Sequence, residues 1–486
     1  MEIIKSNKGG IKICYEGYMY TKQIERTTSI RWRCVSRTTN CKGTMTTTNS
    51  MENPIPLNTH NHVPDENVIK VTKCRQKMKE KAATSRAAPT QIYAEAVQQV
   101  DDNVRAFLPD ETICKRTMRN SRKDSLPPNP ATLQELVLED EWTMTGGTNP
   151  KPFMMYDNGP QAEARIIIYA TDQGLKLLSQ SQQWFMDGNF SMSPQHFAQL
   201  YVIRVKLGET AVSAVYAFLQ RKNQEIYEEL FQAVLDRCQD LGYFPFPESV
   251  MLDFETACIQ AITAVFGEEI EIRCCFFHLT QSTWRKVQRL GLTNHYKENL
   301  EFSLFCGMMD SLALLPLDDV QQGMQYLQDN CPPEAEDLLQ YFDDTYVNGT
   351  TRRMQRAGAP QRYRSQRVPP KFKPELWNVH LATLQNDPRT NNLCESWNNK
   401  FYHLVGHQHP TIWRAIRSLQ MDQATVETAI LQDEIGNPPK KRTHRKYKEL
   451  QVRLRNLCND YVAGRKDIGQ FLKGAGYNVH AGRAIP

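Results

Sequence analysis

The chain has 486 residues, of which 40% are hydrophobic and 23% charged, enough for two or more domains with apolar cores. It has no apolar run long enough to cross a bilayer, and the start "MEIIKSNKGG" lacks the apolar segment of a signal peptide. We therefore expect a soluble, intracellular protein with neither a membrane partner nor a small-molecule substrate. The 13 scattered cysteines favour a reducing compartment over a disulfide framework.

Charge is unevenly distributed along the chain. The net charge is +5, yet residues 1–86 alone carry 16 basic side chains against 7 acidic ones. A basic N-terminal segment followed by a mildly acidic remainder indicates that the N-terminal segment binds a polyanion. A solvated basic surface would have the same composition.

Residues 11–62 have the pattern of short antiparallel strands, rich in aromatic and β-branched residues and separated by polar turns. A sheet this small buries too little apolar area to be stable alone. Two thiols and two imidazoles, in a C-x6-C-x18-H-x-H spacing, offer the ligands of a tetrahedral zinc ion, which would contribute folding energy. These candidate ligands are Cys34, Cys41, His60 and His62; the alternative is two unrelated cysteines and two loop histidines.

This segment resembles the FLYWCH zinc-finger family over roughly residues 3–65, through "YEGYMY", "WRC", "CKG" and "HNH". The resemblance implies a small antiparallel zinc domain that binds DNA, although some members of the family bind protein. Four basic residues flank the ligands and are candidates for phosphate contacts, namely Arg31, Arg33, Arg37 and Lys42.

Residues 68–126 have a helical pattern interrupted at Pro89 and Pro109. The order of the pieces is compatible with a small helical DNA-binding unit, and equally with a plain linker bundle. The proline-rich stretch "SLPPNPATL" then indicates a linker.

From residue 164 the pattern becomes α/β. We expect an antiparallel meander of three strands and then a helix, a strand, a second helix and a last strand. Two of the strands end on a carboxylate, Asp187 in "QWFMDGNFSM" and Asp253 in "ESVMLDFETA". The last strand is expected over "EIEIRCCFFHL". If the two acid-bearing strands are neighbours, their carboxylates meet and repel each other unless a cation lies between them.

A third acid, Glu395, lies in the predicted helix of "RTNNLCESWNNKF". Hard divalent ions such as Mg²⁺ prefer carboxylate oxygens and keep positions open for water and phosphate, an arrangement suited to two-metal phosphoryl transfer. Each acid alone also has an ordinary explanation as a turn residue or a solvated helix residue. Glu255 competes for a metal role, but acids in the first turn of a helix are favoured by the helix dipole, so we assign it to structure.

Four blocks resemble those of Mutator-like (MULE) transposases, in family order over roughly residues 180–405: "WFMDGNFSMSPQHFAQLYVI", "VMLDFETA", "CCFFHL" and "RTNNLCESWNNKF". The resemblance implies a ribonuclease H-like core in which Asp187, Asp253 and Glu395 are the catalytic triad, holding Mg²⁺ or Mn²⁺. It also matches a C-x-x-H pair to Cys275 and His278, which we expect to support the active site, although a buried cysteine and a satisfied histidine remain possible.

Residues 291–388 are expected to form an all-helical insertion between the second and third acids. Within it, "TRRMQRAGAPQRYRSQRVPPKFKP" has six Arg, two Lys and no acid, and its proline and glycine predict a loop that either grips DNA or is a disordered surface segment. The DNA-contacting candidates in this stretch are Arg352, Arg353, Arg362 and Arg364. The run "NPPKKRTHRKYK" would begin a basic tail that serves as a nuclear localisation signal or as a DNA contact.

These observations predict an α/β ribonuclease H-like core with an all-α insertion, preceded by a small antiparallel zinc domain. The expected function is that of a nuclear DNA transposase that acts on double-stranded DNA as a homo-oligomer. The alternatives are a domesticated DNA-binding protein without catalysis and a zinc-finger adaptor that binds protein. The predicted segments are the zinc domain (1–67), a helical connector (68–148), the core's first part (149–290), the insertion (291–388), the core's last part (389–435) and the tail (436–486).

Overall fold

The computed structural model contains two compact units, Met1–Asn129 and Pro130–Pro486. No helix among the residues it describes combines the length and the apolar character needed to cross a membrane. The described residues are 1–5, 10–36, 40–85, 87–123, 126–356, 359–440 and 444–481.

The first unit begins with a six-stranded antiparallel sheet whose strands follow chain order. Strand β4 shows why: Ile30, Trp32 and Cys34 are buried on one face, while Arg31 and Arg33 alternate with them on the other. The predicted small antiparallel domain is confirmed. The strands are β1 (Glu2–Lys5), β2 (Ile11–Tyr15), β3 (Tyr18–Glu25), β4 (Ser29–Cys34), β5 (Thr44–Thr48) and β6 (Ile55–Asn58).

Four helices follow the sheet among the described residues of this unit, as the connector pattern predicts. The Asp65 side chain caps the first helix by accepting two backbone N–H bonds, and Pro89 occupies the first position of the second, where a missing N–H costs nothing. A small core that includes Met78, Ile92 and Met118 holds the helices together. They are α1 (Glu66–Thr84), α2 (Pro89–Gln98), α3 (Asp102–Phe107) and α4 (Glu111–Lys123).

The second unit is built on a seven-stranded mixed sheet in the order β13-β12-β9-β10-β11-β8-β7. The expected meander is confirmed, since β9, β10 and β11 pair antiparallel, and β12 pairs parallel with both β9 and β13. The strands are β7 (Met154–Asp157), β8 (Ile166–Tyr169), β9 (Gln183–Asn189), β10 (Gln199–Leu207), β11 (Thr210–Leu219), β12 (Ser249–Leu252) and β13 (Glu271–Cys274).

Helices pack against this sheet, and strands β10 and β11 are buried along almost their whole length. One apolar cluster joins the sheet to helices α5, α6, α7 and α16. The helices associated with the sheet are α5 (Asp172–Gln180), α6 (Gln224–Asp240), α7 (Thr256–Phe266), α15 (Asn392–Val405) and α16 (Ile412–Glu434).

The insertion is helical as predicted but not entirely so. Its basic stretch forms a two-stranded antiparallel hairpin, β14 (Thr350–Arg356) with β15 (Ala359–Val368), where a loop was predicted. Proline suggested the loop, but Pro360 lies at the start of β15 and Pro369 and Pro370 follow its end, and the Thr, Tyr and Val residues of the two strands suit them. Helix α8 (Phe276–Arg289) precedes the insertion, whose helices are α9 (Thr293–Glu298), α10 (Leu300–Asp310), α11 (Val320–Asp329), α12 (Glu336–Phe342), α13 (Pro374–Trp377) and α14 (His380–Gln385).

The segment predicted as a basic tail is instead folded. It forms helices α17 (Arg445–Val462) and α18 (Ile468–Ala481), whose residues Cys458 and Phe471 are fully buried in the core of the insertion. The basic run suggested a tail, although the apolar residues that follow it have helical spacing. Helix α18 crosses α10 in backbone contact, because a Cβ added at Gly307 would lie 2.7 Å from the carbonyl oxygen of Gly476.

This crossing predicts a specific sensitivity to added methyl groups. In Gly476→Ala the new Cβ would lie 2.9 Å from the backbone nitrogen of Met308, and rigid backbone cannot yield. We expect a loss of about 1–3 kcal/mol in the free energy of unfolding, measured by urea denaturation.

The matched control is Gly474→Ala in the same helix, where the nearest atom, 3.1 Å away, belongs to the flexible Leu457 side chain. This variant should be neutral or stabilised by the gain in helix propensity. Equal stability of the two variants would contradict the close crossing.

Candidate functional site

The four predicted zinc ligands converge in the first unit. Their ligand atoms all lie within 4.8 Å of one another. Cys34 Sγ is 3.3 Å from His62 Nε2, and Cys41 Sγ is 3.3 Å from His60 Nδ1. Separations of this size are those of donor atoms around one tetrahedral ion with bonds of about 2.0–2.3 Å.

The surroundings fix which nitrogen of each imidazole is free for a metal. The Tyr20 hydroxyl lies 2.8 Å from Nε2 of His60, and Nδ1 of His62 lies 3.0 Å from the carbonyl oxygen of Val63, to which it can donate. These outer contacts leave Nδ1 of His60 and Nε2 of His62 directed at the thiols. Gly43 is required nearby, since any Cβ there would collide with the His60 ring.

The donor set fits zinc. Burial lowers the pKa of His60, with a further contribution from His62, so both the position and the protonation state of this imidazole suit a metal ligand. Of the predicted DNA contacts, Arg33 and Lys42 are exposed and Arg31 is half-buried. Arg37 lies outside the described residues.

In the second unit, Asp187 and Asp253 lie at the same edge of adjacent parallel strands. Pairing between β9 and β12 ends at Phe185 with Met251, so both carboxylates follow the last paired residues. Strand β9 does not end on Asp187 as predicted but continues to Asn189 through its pairing with β10. A Cβ at position 188 would collide with the buried side chain of Gln199. The glycine therefore leaves room for β9 to continue beside β10 past Asp187.

Glu395 lies in the first turn of α15 and belongs to the same group of charges. Burial, with Asp253 nearby, raises the pKa of Asp187 from 3.8 to about 7. Burial also raises the pKa of Glu395, and Asp253 adds to that effect while His278 opposes it. Asp253 therefore interacts electrostatically with both other acids.

His278 also belongs to this group, but it lies in a helix and not in the strand that the sequence pattern predicted. The predicted strand over "EIEIRCCFFHL" ends at Cys274, and α8 begins at Phe276, which brings His278 into the first turn of a helix. Its Nδ1 lies 2.7 Å from Oδ1 of Asp253. Burial would lower the pKa of His278, but the contacts with Asp253 and Cys275 outweigh it and raise the pKa to about 10.

Asparagine side chains that sequence reasoning passed over position the acids. Asn398, one turn after Glu395, donates to Oδ2 of Asp187 at 2.6 Å and accepts from Asn189 at 2.9 Å. Asn391 is fully buried and donates to the Met186 carbonyl at 2.7 Å. The available signal was the i, i+3 spacing of Glu395 and Asn398, which puts both on one helix face.

Carboxylate oxygens of this kind are the ligands that a hard divalent ion takes. Within the described residues, Oε1 of Glu395 is buried and lacks a hydrogen-bond partner, a costly state that a cation would relieve. Glu255 is engaged elsewhere, in an ion pair of 3.2 Å with Lys222.

The other basic residues are the DNA-contact candidates of the hairpin and the lysines of helix α1. Arg352, Arg353, Arg362 and Arg364 lie on the hairpin strands, but their side chains are outside the described part of the structure. On helix α1, Lys70 pairs with Asp101, Lys73 with Glu2 and Lys81 with Glu95. These pairings within the first unit favour a structural use of that basic helix.

Comparison with family models bears on both sites. Residues 3–62 match the FLYWCH zinc finger domain, and residues 183–282 match the MULE transposase domain. The chain thus carries an N-terminal FLYWCH zinc finger and a MULE transposase domain, as the resemblances predicted. The second match includes Asp187, Asp253, Cys275 and His278 and ends before Glu395. A comparison with curated proteins found no match.

The hydrogen bond of Tyr20 to His60 predicts a change in zinc affinity. Loss of an outer contact that orients a metal-bound imidazole typically weakens binding by about 10–100-fold. We expect Tyr20→Phe to show a weakening of that size in competition titrations with a zinc chelator.

The control is Tyr18→Phe. Its ring stacks on His60 at 3.6 Å and stays in the variant, while its hydroxyl donates to the backbone oxygen of His62 and not to an imidazole nitrogen. Equal losses in the two variants would show that the Tyr20 hydroxyl has no special role.

The raised pKa of Asp187 makes a prediction about stability. The folded protein holds this proton up to about pH 7, while the unfolded chain releases it near pH 4, so this carboxylate destabilises the metal-free fold increasingly as pH rises between those values. Asp187→Asn should therefore be more stable than the wild type at pH 8, by up to about 4 kcal/mol. Thermal unfolding in the presence of a chelator measures the difference.

The gain should shrink as the pH falls toward 4, where the wild-type carboxyl is protonated in both states. A variant that is less stable than the wild type at pH 8, or a gain independent of pH, would contradict the charge repulsion at Asp187.

Proposed function

We propose that the chain is a DNA transposase that cleaves and joins phosphodiester bonds, with Asp187, Asp253 and Glu395 holding Mg²⁺ or Mn²⁺. The observation that carries this proposal is that Asp187 and Glu395, from distant parts of the chain, both have pKa values that are raised by burial and by Asp253. The MULE transposase domain match over residues 183–282 supports the assignment.

The proposed core fold is ribonuclease H-like. Its support is the sheet order, in which an antiparallel meander of three strands is extended beside β9 by two parallel strands. The first two acids follow neighbouring parallel strands in this sheet, and the third comes from a helix that contacts β9 and β10.

In this proposal the residues have distinct roles. The metal ions, when bound, would activate a water or a DNA 3′-hydroxyl for attack and stabilise the leaving oxygen. Asn398 holds Oδ2 of Asp187 and so sets the direction of its other oxygen. His278 pairs with Asp253 and offsets part of the local negative charge.

We propose that the zinc finger holds double-stranded DNA. Arg31 and Arg33 project from one face of β4 and Lys42 is exposed beside Cys41, so all three suit phosphate contacts. Work on DNA implies a nuclear location in a nucleated cell, and the pairing of two element ends implies a homo-oligomer on DNA.

The decisive experiment is cleavage of DNA that carries the ends of the protein's own element, with Mg²⁺ or Mn²⁺. We expect Asp253→Ala to lose at least about a thousandfold in rate, because a metal ligand is removed. Glu255→Gln is the matched control, an acid two residues away that pairs with Lys222, and it should retain most of the rate. Equal cleavage by wild type and Asp253→Ala would remove the proposed role, and no cleavage by the folded wild type would favour a domesticated DNA-binding protein.

Binding to duplex DNA separates a DNA-holding finger from a protein adaptor. Each phosphate contact contributes about 0.9 to the slope of log affinity against log salt. The double variant Arg33→Ala/Lys42→Ala should lower that slope by up to about 2. A slope near zero in the wild type would instead support the adaptor.

A further inference from the structure

We propose that Cys275, His278 and Glu395 form a second metal site, which takes a borderline divalent ion of the zinc class. The ligand atoms of these three residues all lie within 4.8 Å of one another. This site differs from the proposed magnesium site because one of its ligands is a thiol. Glu395 would be a ligand in both sites.

The geometry is held by backbone contacts between the two elements that supply the ligands. Cys275 immediately precedes α8, and His278 follows it by three residues, so that both face one side of the helix start. The amide of Phe276 donates to the Arg389 carbonyl at 3.0 Å, and the amide of Asn391 donates to Cys275 Sγ at 3.2 Å. These bonds tie the start of α8 to the segment that leads into α15.

The sulfur of Cys275 is a hydrogen-bond acceptor. It accepts a backbone N–H, as do the sulfurs of the two finger ligands, from Ser36 and from Gly43. Four other cysteines do the reverse and donate to backbone carbonyl oxygens: Cys74, Cys114, Cys331 and Cys458. Cys275 therefore shares with the two finger ligands a sulfur that accepts a backbone N–H.

Ligand chemistry decides the class of ion. One thiolate, one imidazole and one carboxylate, with a fourth position open, is a donor set for zinc, whereas Mg²⁺ takes oxygen ligands. Oε1 of Glu395 has no aligned hydrogen-bond partner among the described residues and is therefore free to ligate. Binding would release the thiol proton to solvent.

Occupation of this site would compete with the catalytic ions, a consequence that rests on the proposed function. Glu395 would be withdrawn from the magnesium site, and so would His278 from its contact with Asp253. An ion of the zinc class would therefore hold the acid group in a form unable to take Mg²⁺ or Mn²⁺.

Zinc content per chain tests the site without any measurement of cleavage. The full-length protein, equilibrated with micromolar zinc and passed through a desalting column, should hold two zinc ions per chain. Cys275→Ser should hold one, retained by the finger. The matched control is Cys274→Ser, the neighbouring buried cysteine, which should hold two.

A wild type with one zinc ion per chain, or Cys275→Ser with two, would overturn the proposal. Because Cys275 is buried, Glu395→Gln serves as the second variant if the serine variant fails to fold. It should weaken binding of the second zinc ion at least tenfold.

Competition is measured by electron paramagnetic resonance of Mn²⁺. Filling the second site with zinc should abolish Mn²⁺ binding to the wild type and leave Mn²⁺ binding to Cys275→Ser unchanged. If the wild type binds two zinc ions and full Mn²⁺ together, the shared use of Glu395 is wrong. If cleavage is absent but two zinc ions bind, the proposed function fails while the zinc site stands.

Discussion

Burial of Asp187 beside Asp253 is the constraint on which the second unit depends. Two carboxylates in a poorly solvated place raise each other's free energy, and the raised pKa of Asp187 records that cost. A fold keeps such a pair only when the surroundings hold it in place, and here they do so through strand pairing on one side and asparagine side chains on the other. The site is thus positioned before any cation arrives.

The zinc finger, too, holds its candidate metal ligands in position without a metal ion. Its sheet buries a small cluster around Trp32 and Tyr20, which is little apolar area for six strands. The outer contacts of His60 and His62 already direct their free nitrogens at the two thiols. A metal would therefore complete an arrangement that the protein has largely formed, and its binding energy would add to stability.

Much of this structure could be predicted because local patterns and long-range pairing agree. Aromatic and β-branched residues between polar turns identified the strands of the finger, and apolar runs that end near acids identified β9 and β12. The hairpin β14–β15 was missed because proline and glycine mark turns without telling whether strands flank them. Helices α17 and α18 were not predicted because a basic run precedes them. The residues against which they pack are also far away in the sequence. Asn391 and Asn398 act through contacts across about 200 residues, which no local pattern reveals.

The central claim is that three distant carboxylates share hard cations. Anomalous diffraction from crystals soaked in Mn²⁺ tests it most directly. We expect Mn²⁺ peaks in contact with oxygens of Asp187, Asp253 and Glu395, with Asn398 still bonded to Asp187. Mn²⁺ bound elsewhere while these three side chains stay unligated would contradict the claim.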